Sequence, residues 1–274
     1  MIATRTSTWV SRLGGVLLLV LYGTPLVWLL TTSLKSNTDA FRGLQTLFVF
    51  QPTLAAYQRL LASGLGQSAV NSVLIAAGAT AVTLLFAVPA AYALARVRAG
   101  LVAVGLGLVI VLQMMPQTAT VIPLYKVLGT WGLLGSPAGV ILADAALLIP
   151  FSVLLLRPFF AAVPIEIEEA GTVDGASVWR VFGQIVLPLT LNGIATAATI
   201  VFLIAWGEFL YAISFLVDPN NYPLSVLIAS QIGQYGSNWP ALMAVAVAAS
   251  LPILVIFLAT YRLLRQGLAM GSIK

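Results

Sequence analysis

An all-α, polytopic membrane fold is what this sequence predicts, and three observations predict it. Of 274 residues, 60% are hydrophobic and only 8% charged, against about 45–50% and about 25% in ordinary soluble domains. The mean hydropathy is +1.04. The apolar residues also gather into six stretches with almost no charge, each near the ~20 residues that cross a hydrocarbon core as a helix.

The first stretch, Leu13–Ser33, follows Arg5 and Arg12 and carries no charge. It is long for a signal-peptide core and no small-residue cleavage site follows, so it reads as a retained span. The second, Ser68–Ala95, is closed by Arg96 and Arg98. The third is Leu101–Pro123. The fourth, Pro137–Leu156, contains Asp144, and the fifth, Leu189–Leu216, contains Glu208. The sixth, Pro240–Tyr261, is closed by Arg262 and Arg265. Six spans place both termini on one side. With the N-terminus in the cytoplasm, nine basic residues lie inside (Arg5, Arg12, Arg96, Arg98, Arg157, Arg180, Arg262, Arg265, Lys274) and four outside (Lys35, Arg42, Arg59, Lys126). That split obeys the positive-inside bias, so both termini are expected in the cytoplasm.

The net charge of +5 therefore has a topological explanation. Its basic residues are scattered singly, without the runs that mark nucleic-acid binding, and no nucleic-acid partner is expected. The chain has no Cys and no His. That removes disulfides, thiolate nucleophiles, the usual general base and the commonest metal ligands, so neither a catalytic residue nor a metal site is expected. The lysines Lys35, Lys126 and Lys274 have no G-x-x-x-x-G before them, so the chain carries no P-loop.

Two connections are too long for turns. Leu34–Gln67 is expected outside, with a short helix at Leu54–Leu61. Residues 157–188 are expected inside and are where the acidic residues concentrate, four of the eight. There Pro164 suits a helix start, and Glu166, Glu168 and Glu169 favour its positive end. Asp174-Gly175 signals a turn. Ser177 can cap a second helix with its hydroxyl, in which Val178, Val181, Phe182 and Ile185 form an apolar stripe. Pro188 is expected to break that helix before span five. The stripe either packs on the protein's own spans or docks into a groove of another protein.

This hairpin resembles the EAA loop of bacterial ABC-importer permeases. The motif stands here as Glu169-Ala170-Gly171, Asp174-Gly175-Ala176, Phe182 and Ile185-Val186-Leu187-Pro188. The rest of the chain is similar to the carbohydrate-uptake branch, and to the smaller permease of maltose transporters within it. Asn71-Ser72, Ala90-Ala91-Tyr92-Ala93-Leu94-Ala95-Arg96, Trp206-Gly207-Glu208-Phe209 and Gly267–Lys274 carry that likeness. Gly171, Asn192 and Gly207 depart from the usual Ala, Pro and Asn. The resemblance implies a single permease domain, 1–274, in the bacterial inner membrane, surrounded by lipid. It implies a second homologous permease, a dimer of ATP-binding subunits that holds the ATP and Mg, and an extracytoplasmic sugar-binding protein. Glu169, Ala170, Gly171, Asp174, Gly175, Ala176, Phe182 and Pro188 are then the ATPase-coupling residues. Gly267, Gly271 and Lys274 belong to an extended C-terminal tail that reaches between the ATPase subunits.

Asp144 and Glu208 are the only acidic residues inside expected spans. Charges there are costly, so each either borders a solute path or belongs to a structural network. Gln113, Met114, Met115, Gln117, Trp206 and Tyr211 would also suit a sugar path, since amides bond hydroxyls and aromatic faces stack on sugar rings. A competing reading is an ion-coupled secondary transporter using Asp144 and Glu208. The hairpin discriminates, because an autonomous transporter has no obvious need of it. A membrane-embedded enzyme lacks support, with no paired carboxylates and no His or Cys.

Overall fold

The computed structural model describes residues 5–42, 46, 49–97, 99–233 and 236–271. They are almost wholly helical, apart from a two-residue antiparallel pairing of β1 (Ile232–Gly233) with β2 (Gly236–Ser237). They fall into two compact units, Met1–Gly66 with Leu227–Leu251, and Gln67–Val226 with Pro252–Lys274.

In the first unit, α1 (Arg5–Ser33) is a long apolar helix whose side chains from Leu13 to Leu21 are exposed along nearly every face. Such a surface is stable only against lipid or another protein. After it come α2 (Asn37–Ala40), capped by the Ser36 hydroxyl, and α3 (Ala55–Ala62). The latter matches the expected short helix. Tyr57 on α3 donates to Ser33 at 2.8 Å, tying α3 to the end of α1.

The second unit is built on α4 (Leu65–Arg96), α5 (Ala99–Gln113), α6 (Gln117–Thr130) and α7 (Pro137–Ala161). The buried face of α4 is a stripe of small residues, among them Ser72, Ala76, Ala79, Thr83, Ala87 and Ala91. Spans associate this way where lipid removes the hydrophobic drive and close backbone approach supplies the packing. The third span departs from expectation. It is two helices, α5 and α6, bent by 89° at Met114–Pro116. Pro116 has no N–H to continue the ladder and disfavours a helical residue before it. Fourteen-residue α6 is short for a full crossing.

Helix α7 starts at Ser136, whose side chain accepts from the Gly139 N–H, with Pro137 in the first turn. It joins two apolar cores. Val140 and Ala143 pack with Ile75, Leu128, Tyr211 and Phe215. Further along, Val153, Leu156 and Phe160 pack with Ala87, Ala91, Val181 and Val186.

Beyond α7 lie α8 (Ile165–Val173) and α9 (Val178–Val181), a single π turn (Phe182–Val186), and α10 (Leu187–Trp206). From Val178 to Trp206 the chain is one continuous helix, so Pro188 does not break it. In the π turn, Leu187 N–H donates to Phe182 O. This widened register lets the ring and missing donor of Pro188 sit in the following turn without ending the helix. The span expected to run to Leu216 stops instead at Trp206, and α11 (Leu210–Phe215) restarts after Gly207-Glu208-Phe209. Glu208 thus lies in a break rather than inside a span. Helix α12 (Leu224–Ser230) follows, and α13 (Trp239–Gly271) ends the described chain.

Candidate functional site

The hairpin of residues 162–186 is built on one turn. Helix α8 ends at Asp174, and Gly175 takes φ +84°, a left-handed conformation that side-chain-bearing residues adopt only at a cost. The chain then reverses into α9. Ser177 caps α9 through its carbonyl, which accepts from Arg180 and Val181 at 2.9 Å. Its hydroxyl makes no capping bond, contrary to the expectation from sequence. Gly171 is where the two arms approach. A Cβ there would lie 2.8 Å from Ile185 Cδ1 and 3.3 Å from Val181 Cγ2.

The apolar stripe of the second arm is divided. Val181 is buried, while Phe182 and Ile185 pack on the core of α4, α7 and α10. Val178 faces out at 68% exposure, beside Trp179 at 77% and Val173 at 86%. Much of the stripe therefore belongs to the protein's own packing, and the turn region offers a separate exposed apolar tip. Glu169, Ala170, Asp174 and Gly175 are exposed, Gly171, Ala176 and Phe182 half-buried, and Pro188 exposed.

What fixes the hairpin to the spans is a cluster that sequence reasoning missed. Glu168, in the first turn of α8, is buried. Arg96, in the last turn of α4, donates from Nε to Glu168 Oε1 at 2.8 Å and from Nη2 to the same oxygen. Nη2 also donates to Val163 O at 3.1 Å. Tyr92 donates its hydroxyl to Glu168 Oε2 at 2.7 Å. The Tyr92 ring lies 4.8 Å from Phe182 and 5.9 Å from Phe160, with the Arg96 guanidinium 5.7 Å from its centre. Only half of the cluster is written locally. Tyr92 and Arg96 stand four apart and share a helix face, while their partner Glu168 is 72 residues on from Arg96.

The intramembrane candidates separate into two groups. Gln117 Nε2 donates to Glu208 Oε1 at 2.7 Å. Glu208 also accepts from the backbone N–H of Tyr211 at 2.9 Å and of Ala212 at 3.1 Å, so it caps α11. Tyr211 is buried, stacked on Phe215 at 5.4 Å and hydrogen-bonded to Thr120. Trp206 is buried and stacked on Phe202. In this arrangement neither ring offers a face to a solute. Asp144 is wholly buried near Glu208, and neither carboxyl oxygen has a hydrogen-bond partner among the described residues. Gln113 and Met114, by contrast, are exposed at the α5–α6 break.

At the far end of α4, Asn71 donates to Asn220 O at 2.7 Å and Tyr222 O at 3.2 Å, and the Ser72 hydroxyl accepts from Leu224 N–H at 2.8 Å. The Asn71-Ser72 pair is thus a latch for the segment following α11. Of the C-terminal expectation, the extended conformation does not hold. Helix α13 continues through Gly267 to Gly271, so these two glycines stand in a helix and not in an extended strand of chain. Each glycine costs this helix about 1 kcal/mol relative to Ala, and the intervening Leu, Ala and Met are all good helix formers. Lys274 lies outside the described residues.

Residues 84–270, which include the hairpin, the clamp around Glu168 and both cores' α7 contacts, match the family described as binding-protein-dependent transport system inner membrane components. The chain belongs to that family. It is a multi-pass inner membrane component, and the resemblance read from the hairpin motif is borne out. The sulfoquinovosyl glycerol transport system permease protein SmoH of Agrobacterium fabrum is 33% identical over 91% of this chain and 88% of its own. The melibiose/raffinose/stachyose import permease protein MelC of Bacillus subtilis is 30% identical over 91% of each. The fold is shared, at a TM-score of 0.80 and 21% identity over 96% of this chain and 99% of the other, with a chain in the crystal structure of a bacterial ABC transporter involved in the import of the acidic polysaccharide alginate. Within this inner membrane component the family match spans α4 from Leu84 onward, the broken α5–α6 pair and the whole hairpin, and leaves α1–α3 outside.

Proposed function

We propose that this inner membrane component is the non-catalytic permease subunit of an ATP-driven carbohydrate importer, with its hairpin seated on a separate ATPase in the cytoplasm. One observation carries the coupling role. The hairpin is clamped to α4 and α7 on its inner side, yet leaves Val173, Val178 and Trp179 exposed at the turn. An apolar tip on a firmly held lever suits a groove in a partner. Exposed Glu169 has no ion pair among the described residues and is free for a basic group there. The carbohydrate assignment is supported by SmoH and MelC, whose names specify sugar-containing solutes.

Half of the solute path is assigned to the α5–α6 break, where exposed Gln113 and Met114 can offer an amide and a soft apolar surface, with half-buried Gln117, bonded to Glu208, beside them. The other half comes from a second, homologous permease, and an extracytoplasmic binding protein delivers the sugar. The positive-inside bias supports cytoplasmic termini. An ion-coupled mechanism is less well supported, since Glu208 is engaged in capping α11.

The test is co-expression with a second permease and an ATPase, followed by hydrolysis assays of the purified complex against a sugar panel with the binding protein present. Sugar-stimulated hydrolysis is expected. Uptake by this chain that follows an ion gradient and ignores ATP would overturn the proposal.

A further inference from the structure

The cluster joining α4 to the hairpin has a geometry that simple anchoring does not require. Arg96 holds two points at once, the Val163 carbonyl just before α8 and the Glu168 carboxylate one turn into it. Two fixed points along α8 define a direction as well as a position. Tyr92 adds a third. Its hydroxyl meets Glu168 on the first arm and its ring meets Phe182 in the π turn of the second, so both arms touch one residue of α4. The ion pair is shielded, with the two side chains 17% and 11% exposed, where screening by salt is weak. It also joins complementary helix ends, a cation in the last turn of α4 and an anion in the first turn of α8. Helix α5 begins at Ala99, three residues beyond Arg96, so a rotation of α8 carried by this cluster reaches the broken span directly.

We propose that Arg96, Glu168 and Tyr92 form a strut that makes the hairpin and α4 move as one body, and so act as positioning residues that turn a displacement at the ATPase into one at the α5–α6 break. This rests on the coupling role proposed above. The alternative is an anchor needed only for folding, with transmission through the apolar core.

The experiment uses the assembled complex. The chain has no Cys, so Ala119→Cys, exposed one turn into α6, places one thiol on this chain beside the break. Its labelling rate by a water-soluble maleimide is measured without nucleotide and with ATP plus vanadate, alongside phosphate release. With the strut intact, the two rates are expected to differ about fivefold or more. Arg96→Gln and Glu168→Gln should keep hydrolysing ATP while the labelling difference disappears. Tyr92→Phe, which keeps the ring contacts, and Arg96→Lys, which keeps the charge, should give intermediate differences. Those two decide the matter if the Gln variants do not assemble. A full labelling difference in Tyr92→Phe and Arg96→Lys, or a parallel fall of hydrolysis and labelling difference in every variant, overturns the strut. If the unaltered strut shows no nucleotide-dependent labelling in an assembled, hydrolysing complex, the coupling role itself falls, and the strut with it.

Discussion

Two acidic residues that look alike in the sequence have different surroundings. The Glu208 carboxylate accepts three hydrogen bonds, two of them from the otherwise orphaned first N–H groups of α11. Glu208→Ala leaves those donors and Gln117 unmet, a loss of about 1–3 kcal/mol, and should lower the thermal midpoint of the purified chain. An unchanged midpoint would show that water replaces the cap. Asp144 is buried with both oxygens unpartnered among the described residues. Burying a polar group that way costs about 1–3 kcal/mol by mutational measure, while the small void left by truncation costs about 24 cal/mol per Å³. Asp144→Ala is therefore expected to raise the midpoint. A fall would mean that the carboxyl has a partner in the assembled membrane state.

At the level of elements, the hairpin works through one backbone conformation and one exposed acid. Gly175→Val forces a β-branched residue into φ +84°, and Glu169→Lys reverses an exposed charge without touching the core. Both should assemble with the ATPase and hydrolyse ATP while sugar uptake per ATP falls about tenfold or more, a coupling loss near 1.4 kcal/mol. Normal uptake by both, in complexes of normal composition, would remove the hairpin from coupling. The π turn explains how a proline-containing motif can end a hairpin and start a span without a break. The bend at Pro116 works in the opposite sense, interrupting a stretch whose apolar content would otherwise make one straight crossing.

For the whole molecule, the telling feature is exposed apolar surface. In α1 the residues from Leu17 to Tyr22 are all more than half exposed, and the α5 side chains Val104, Leu108 and Val111 are open as well. Lipid can cover much of this, and a second permease the rest. The chain reconstituted alone in liposomes is accordingly expected to move no sugar, with or without ATP inside. Radiolabelled raffinose accumulating in such vesicles would contradict the assembly proposed here.

Composition and periodicity alone determined the class of this protein, because an apolar stretch long enough to cross a bilayer is a local property. They also located the hairpin, whose Pro164, Asp174-Gly175 and apolar spacing act within a few residues of one another. Contacts between residues far apart in the chain were out of reach. Nothing near Arg96 announces Glu168, 72 residues on, and nothing near Glu208 announces Gln117, 91 residues back. Whether Trp206 and Tyr211 face a solute or a core depends on which helices pack against them. The same holds for Pro188, whose effect is set by the hydrogen-bond register of the turn before it. Tertiary structure decided these points, because burial and partner choice come from packing between helices, which no single stretch of sequence contains.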